Sequence, residues 1–162
     1  MDELARRLGR LLKRRRLKLV TAESCTGGWA AQAVTAIAGS SDWFERGFIT
    51  YSNDAKRELL GVSARTLRKF GAVSEETARE MARGALRRGR GSIALSITGV
   101  AGPGGGSRAK PVGTVCFGWA ARGTLRSETR HFRGDRRSVR RQSVLHALRG
   151  VLELVEERKR EG

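Results

Sequence analysis

The stretch Leu17-Lys18-Leu19-Val20-Thr21-Ala22-Glu23-Ser24-Cys25-Thr26-Gly27-Gly28 decides the fold. Its first half is an apolar, partly β-branched run that predicts a short strand. Its second half places a serine, a threonine and two glycines where that strand must turn into a helix. The expected helix runs from Trp29 to Ile37, is rich in alanine and is closed by Gly39. A serine on such a turn lies near unpaired N–H groups at the helix's positive end, where an anion or oxyanion can be held. A purely structural role is open as well: Ser24 or Thr26 as a helix cap, and Gly27-Gly28 for close packing.

Working outward, the 162 residues suit one domain spanning 1–162 with a real core. There is no apolar run of about 18 residues, so no membrane span is expected. The N-terminus mixes arginines into its leucine pattern and lacks a signal peptide's apolar core, which points to a cytoplasmic protein. The two cysteines, Cys25 and Cys116, are far apart without metal-like spacing and read as buried small hydrophobes in a reducing compartment. The net charge of +17 raises the possibility of a nucleic-acid partner. The basic residues are mostly arginines spread along the whole chain with few aromatics among them, which favours a solvated basic surface. Such a surface would still attract a phosphorylated ligand.

Leu4, Leu8, Leu11 and Leu12 predict an amphipathic first helix. Phe44 to Tyr51 reads as a second strand. A short helix follows to Leu60, capped by Ser52, Asn53 or Asp54 and stopped by Gly61; a second, Ala64 to Phe70, ends at Gly71. Ser74 starts a longer helix with the buried stripe Ala78, Met81, Ala82, Ala85 and Leu86. Ser92 to Ile97 predicts a central strand, and Val112 to Ala121 with Thr124 to Phe132 a hairpin turning at Arg122-Gly123. Asp135 caps a last helix to about Arg158. The alternation predicts an α/β fold: one three-layer α/β/α sandwich around a mixed, mainly parallel sheet of about five strands.

In such sheets, sites lie beyond the carboxyl ends of strands. Glu23–Gly28, Tyr51–Lys56 and Thr98–Gly106 all fit that position, and their convergence makes Ser24 a candidate nucleophile. A serine nucleophile needs a base. His131 and His146 fit no triad pattern and read as surface or packing residues. Lys56, one turn into its helix, can point back toward the strand end; a partly dry lysine has a lowered pKa and can take a serine's proton. Tyr51 can relay protons or orient a substrate. The glycine-rich Thr98–Gly106 segment is not a P-loop, but its backbone can approach a ligand closely or form a lid. No cluster has metal-ligand spacing, so neither metal nor cofactor is expected.

The segments 22–28, 47–56 and 98–106, with Gly71-Ala72-Val73-Ser74, Lys110-Pro111-Val112-Gly113-Thr114-Val115 and Phe132-Arg133-Gly134-Asp135-Arg136 followed by Val139-Arg140, resemble the C-terminal domain of the competence/damage-inducible CinA family. The likeness covers nearly the whole chain in order. It looks like the stand-alone form without the molybdopterin-binding-like domain of longer members. The resemblance implies a mixed five-stranded α/β/α sandwich, in agreement with the pattern, and hydrolysis of nicotinamide mononucleotide to nicotinic acid mononucleotide and ammonia in NAD recycling. It places nucleophile, base and tyrosine on Ser24, Lys56 and Tyr51, and it implies a homo-oligomer, a dimer above all. Oxyanion and substrate contacts are then expected from Thr26, Gly27, Gly28, Thr98, Gly99, Gly102, Gly104 and Gly105, with Arg136 and Arg140 as cations for the phosphate. Arg137, where members often carry an acid, and Arg108 in the glycine loop depart from the family pattern. Two other readings stand beside this one: a non-catalytic nucleic-acid-associated accessory protein, and an amidohydrolase for another carboxamide.

Overall fold

The computed structural model describes residues 1–157. Its sheet is built from β1 (Leu19–Glu23), β2 (Phe44–Ile49), β3 (Ile93–Gly99), β4 (Thr114–Ala121) and β5 (Thr124–His131), in the order β2-β1-β3-β4-β5. β1 pairs in parallel with β2 and β3, while β4 is antiparallel to both β3 and β5. Four of the five strands therefore point the same way, β4 alone runs against them, and the Arg122-Gly123 hairpin turns the chain back into β5. The helices are α1 (Asp2–Arg15), α2 (Trp29–Thr35), α3 (Asn53–Leu60), α4 (Ala64–Phe70), α5 (Glu75–Gly89) and α6 (Arg136–Glu157).

Two separate cores make the three layers. On one face Leu8, Leu11 and Leu12 of α1, Ala30, Ala33 and Val34 of α2 and the apolar stripe of α6 pack on Leu19, Ile93, Leu95, Ile97 and Phe117. On the other face Leu60, Leu67, Met81, Ala82 and Ala85 of α3, α4 and α5 cover Val20, Ala22, Ala94 and Ala120. Adjacent residues of β1 thus serve opposite faces, and all five of them are buried. A strand covered on both sides can be apolar throughout, as the opening stretch predicts.

The expected boundaries shift at several ends. α2 stops at Thr35, and Gly39 caps a one-turn 3-10 helix, Ser40–Asp42, that the periodicity did not reveal. β2 ends at Ile49, so Tyr51 lies beyond the strand; β4 begins at Thr114, and β5 ends at His131. Among the three possible caps for α3, Ser52 accepts the Ala55 N–H at 3.0 Å. Ser74 caps α5 and Asp135 accepts the Ser138 N–H at the start of α6. Arg158, the expected end of α6, lies outside the described residues.

The register positions the site. Glu23 at the end of β1 pairs with Ile49 of β2 on one side and Ile97 of β3 on the other. The next residues along these strands, Ser24, Thr50 and Thr98, consequently emerge at one edge, where the connections of β1 and β2 depart to opposite faces. α3 is pressed toward that edge by α5, and the contact is close because of Gly84. A Cβ at Gly84 would lie 1.9 Å from the Leu60 carbonyl oxygen. Gly84→Ala is expected to cost about 1–3 kcal/mol of stability through overpacking, read as a lowered urea midpoint at unchanged slope.

Candidate active site

The geometry centres on Lys56. Although lysine is seldom buried, its side chain has 1% relative exposure. Ser52 starts α3 just after β2, so Lys56 occupies the first turn and its side chain turns back toward the strand end. Its ammonium Nζ lies 3.0 Å from Ser24 Oγ, 2.9 Å from the Thr50 carbonyl oxygen and 3.5 Å from that of Tyr51. Burial lowers the pKa of this amine from its ordinary 10.5, outweighing an opposing effect of Cys25. The result is an amine suited to exchanging a proton with the hydroxyl beside it.

Ser24 is itself nearly buried and is held by the backbone: its N–H donates to the Ile97 carbonyl at 2.9 Å, and its carbonyl accepts the Gly27 N–H at 3.0 Å. Gly27 and Gly28 adopt φ of 59° and 101°, which lets the chain turn within this short segment. Neither Ser24 nor Thr26 caps α2. That task falls to Glu23, which is wholly buried and whose carboxylate accepts the Ala30 and Ala31 N–H groups at 2.7 and 3.1 Å. It also accepts the Thr26 hydroxyl at 2.7 Å. A carboxylate at the end of the strand that leads into the helix, separated from it by the Ser24–Gly28 turn, was the available sequence signal, obscured by the more reactive residues beside it.

Of the residues expected from sequence, Ser24, Tyr51, Lys56, Thr98, Gly99 and Arg136 line one cavity of about 190 Å³. Cys25, Asn53 and Ala101, which lie within the three expected segments, complete its wall together with Ala72 and Val73, which lie outside them. Thr98 Oγ1 donates to the Ala72 carbonyl at 2.8 Å, fixing one side of the cavity. Tyr51 stands at the mouth, 62% exposed, and its phenol accepts from Arg136 Nη2 at 3.3 Å. Arg136 Nη1 donates to the Gly102 carbonyl at 2.8 Å, so this arginine joins the tyrosine to the glycine loop.

The remaining expected residues sit elsewhere. Arg140 lies behind the serine turn, donating from Nε to the Cys25 carbonyl and from Nη2 to the Thr26 carbonyl, both at 3.1 Å, with its guanidinium over Trp29. Gly27 has its N–H engaged by Ser24, and the Trp29 N–H is engaged by Thr26. Gly104 and Gly105 are exposed on the loop outside the cavity. The Cys25 thiol is pushed up to about 12, chiefly by burial, and is therefore a poor nucleophile at neutral pH. His146 packs against Phe117 and pairs with Glu128, away from Ser24. A larger cleft of about 670 Å³, near Lys69, Lys110 and His131, contains neither Ser24 nor Lys56.

The CinA C-terminal domain model matches residues 1–155. The chain belongs to the CinA C-terminal domain family. Within the family it is 54% identical over 147 residues to nicotinamide-nucleotide amidohydrolase PncC of Escherichia coli strain K12, covering 90% of this chain and 89% of that one. It is 50% identical over 151 residues to the protein of the same name from Pseudomonas putida, covering 93% of this chain and 94% of the relative. Its fold matches the crystal structure of competence/damage inducible protein CihA from Agrobacterium tumefaciens with a TM-score of 0.92 at 48% identity, over 94% of both chains. These similarities give the family independently of the cavity geometry.

The buried lysine has a consequence for stability. Because its folded pKa is below 10.5, the unfolded chain binds more protons between the two values. The penalty for burying this amine is therefore fully present below the folded pKa and fades as pH rises toward 10.5. Lys56→Met is expected to melt higher than the parent at neutral pH, with the gap narrowing toward alkaline pH. Thermal melts of both proteins across that range check the sign.

Proposed function

We propose that this protein is a nicotinamide-nucleotide amidohydrolase that converts nicotinamide mononucleotide to nicotinic acid mononucleotide and ammonia. The observation that carries the reading is the 3.0 Å approach of Lys56 Nζ to Ser24 Oγ at the wall of a small cavity. The names of the relatives supply the substrate class; in this reading the pyridine carboxamide enters the cavity and its ribose phosphate projects past Tyr51 and Arg136.

In this mechanism neutral Lys56 takes the Ser24 proton as Oγ attacks the carboxamide carbon. The oxyanion formed there accepts from N–H groups of the Cys25–Gly28 turn that are not already engaged. Gly27 is not one of them, since its N–H serves Ser24. Each effective donor of this kind is worth about 10²–10³ in rate. Protonated Lys56 then delivers its proton to the departing nitrogen, releasing ammonia and leaving an acyl-serine. Water, deprotonated by the same amine, attacks the acyl carbon and restores Ser24. Tyr51 orients the bound ring at the mouth, and Thr98 and Gly99 form the opposite wall. Arg136 is the phosphate cation better placed, because it lines the cavity at its mouth, whereas Arg140 lies behind the serine turn. The protein acts in the cytoplasm as a homo-oligomer, a dimer above all, without a metal or cofactor.

Purified protein is expected to release ammonia from nicotinamide mononucleotide in the presence of a chelator, and Ser24→Ala to lose at least about 10³-fold in kcat. Absence of release by the parent would overturn the substrate assignment, and undiminished release by the variant would overturn the serine mechanism. Because the amine must be neutral to act as base, kcat/KM should rise with pH through the lowered Lys56 pKa and then level. Lys56→Ala should lack that rising limb. Arg136→Ala should raise KM about tenfold or more for the nucleotide and much less for the corresponding riboside, a difference that isolates the phosphate contact.

A further inference from the structure

Glu23 is a fully buried carboxylate with no ion-pair partner among the described residues. Burying such a charge is costly unless hydrogen bonds compensate. Here they come from the Thr26 hydroxyl and from the first N–H groups of α2, whose seven residues form a short helix otherwise without a side-chain cap. A surface serine or aspartate at the cap position would satisfy a helix start without burying a charge. The arrangement in Glu23 accomplishes something that such a cap would not.

Three links connect it to the reacting pair. Glu23 directly precedes Ser24, so any rotation of its backbone redirects the nucleophile. Its carboxylate binds Thr26 on the far side of the Cys25 peptide, closing a ring around the turn that carries Ser24. Its carbonyl accepts the Thr50 N–H at 2.8 Å, while the Thr50 carbonyl accepts Lys56 Nζ at 2.9 Å. One residue thereby ties the serine turn, the start of α2 and the acceptor that steadies the lysine.

We propose that Glu23 is a positioning residue for the amidohydrolase reaction, holding the serine turn from the α2 side so that Ser24 Oγ meets Lys56 Nζ. This rests on the serine–lysine reading above. The carboxylate touches neither substrate nor reacting atoms; it acts through Ser24. By occupying the positive end of α2 it also removes that end as a site for the substrate's anion, leaving the oxyanion to the turn itself. Misplacing a reacting group by about 1 Å costs on the order of 10²-fold in rate, so loss of the clamp should affect turnover far more than binding.

The test compares the parent with Glu23→Gln, which keeps the side chain's size, and Glu23→Ala, which removes the acceptor. Folding of each is checked by circular dichroism before kinetics. Two readouts are taken: kcat and KM for nicotinamide mononucleotide, and the rate at which phenylmethylsulfonyl fluoride, a neutral serine-directed reagent, labels Ser24. The expected result is a fall in kcat of about tenfold for Glu23→Gln and about 10²-fold for Glu23→Ala, with KM within about threefold. Ser24 labelling should slow in parallel. Folded variants with parental kcat and labelling rate would overturn the proposal, reducing Glu23 to a stability cap. Raised KM with unchanged labelling would overturn it too. If the parent turns over no nicotinamide nucleotide, the substrate reading fails, yet the labelling rates still decide whether Glu23 orients Ser24. If Glu23→Ala does not fold, the size-conserving Glu23→Gln decides alone.

Discussion

A dry lysine amine against a serine hydroxyl is the constraint on which this structure turns. An ammonium group in the interior is unfavourable unless something compensates it. Lys56 has carbonyl oxygens of Thr50 and Tyr51 and the Ser24 hydroxyl within reach, and no carboxylate among the described side chains forms an ion pair with it. Carbonyls and hydroxyl steady the amine without the strong raising of pKa that a carboxylate would bring. The same desolvation that weakens the fold favours the neutral amine that the proposed mechanism requires as its base.

The sheet topology supplies this arrangement with little irregular backbone. Three parallel strands end at one edge, and the chain leaves β1 through α2 on one face and β2 through α3 on the other. The serine therefore arrives from the central strand, the lysine from the neighbouring connection and Thr98 from β3. β4 and β5 contribute differently: they extend the sheet away from the site, β4 together with β3 gives α6 a surface to pack on, and α6 brings Arg136 and Arg140 back over the edge. A basic composition thus acquires local meaning at two arginines with opposite tasks. Arg136 faces the cavity, and Arg140 supports the turn from behind.

Much of this was legible in the chain because the signals were local. Strand β1, the caps Ser52, Ser74 and Asp135, and the backward reach of Lys56 follow from residue order and helical spacing alone. The short 3-10 helix at Ser40–Asp42 lacked a pattern long enough to show a period. The positions of Ala72 and Val73 at the cavity depend on how α4 and α5 meet β3, a tertiary relation without a spacing signature. In sequence, an arginine free to meet a phosphate and one bound to two backbone carbonyls, as Arg140 is, look alike.

Glu23 shows why the most reactive residue types drew attention from the residue that orders them. In a strand-to-helix turn, serine, cysteine and threonine each offer chemistry, while the preceding acid offers only charge. Once folded, the roles separate by burial. Cys25, desolvated, holds its proton; Ser24 meets the buried amine of Lys56; Thr26 donates its hydroxyl to Glu23. The acid then fills the helix end that a bare serine turn would have left free for an anion. In the proposed mechanism Ser24 is distinguished from its neighbours by being the side chain that meets the buried amine, and the turn that presents it is held by hydrogen bonds made one residue upstream.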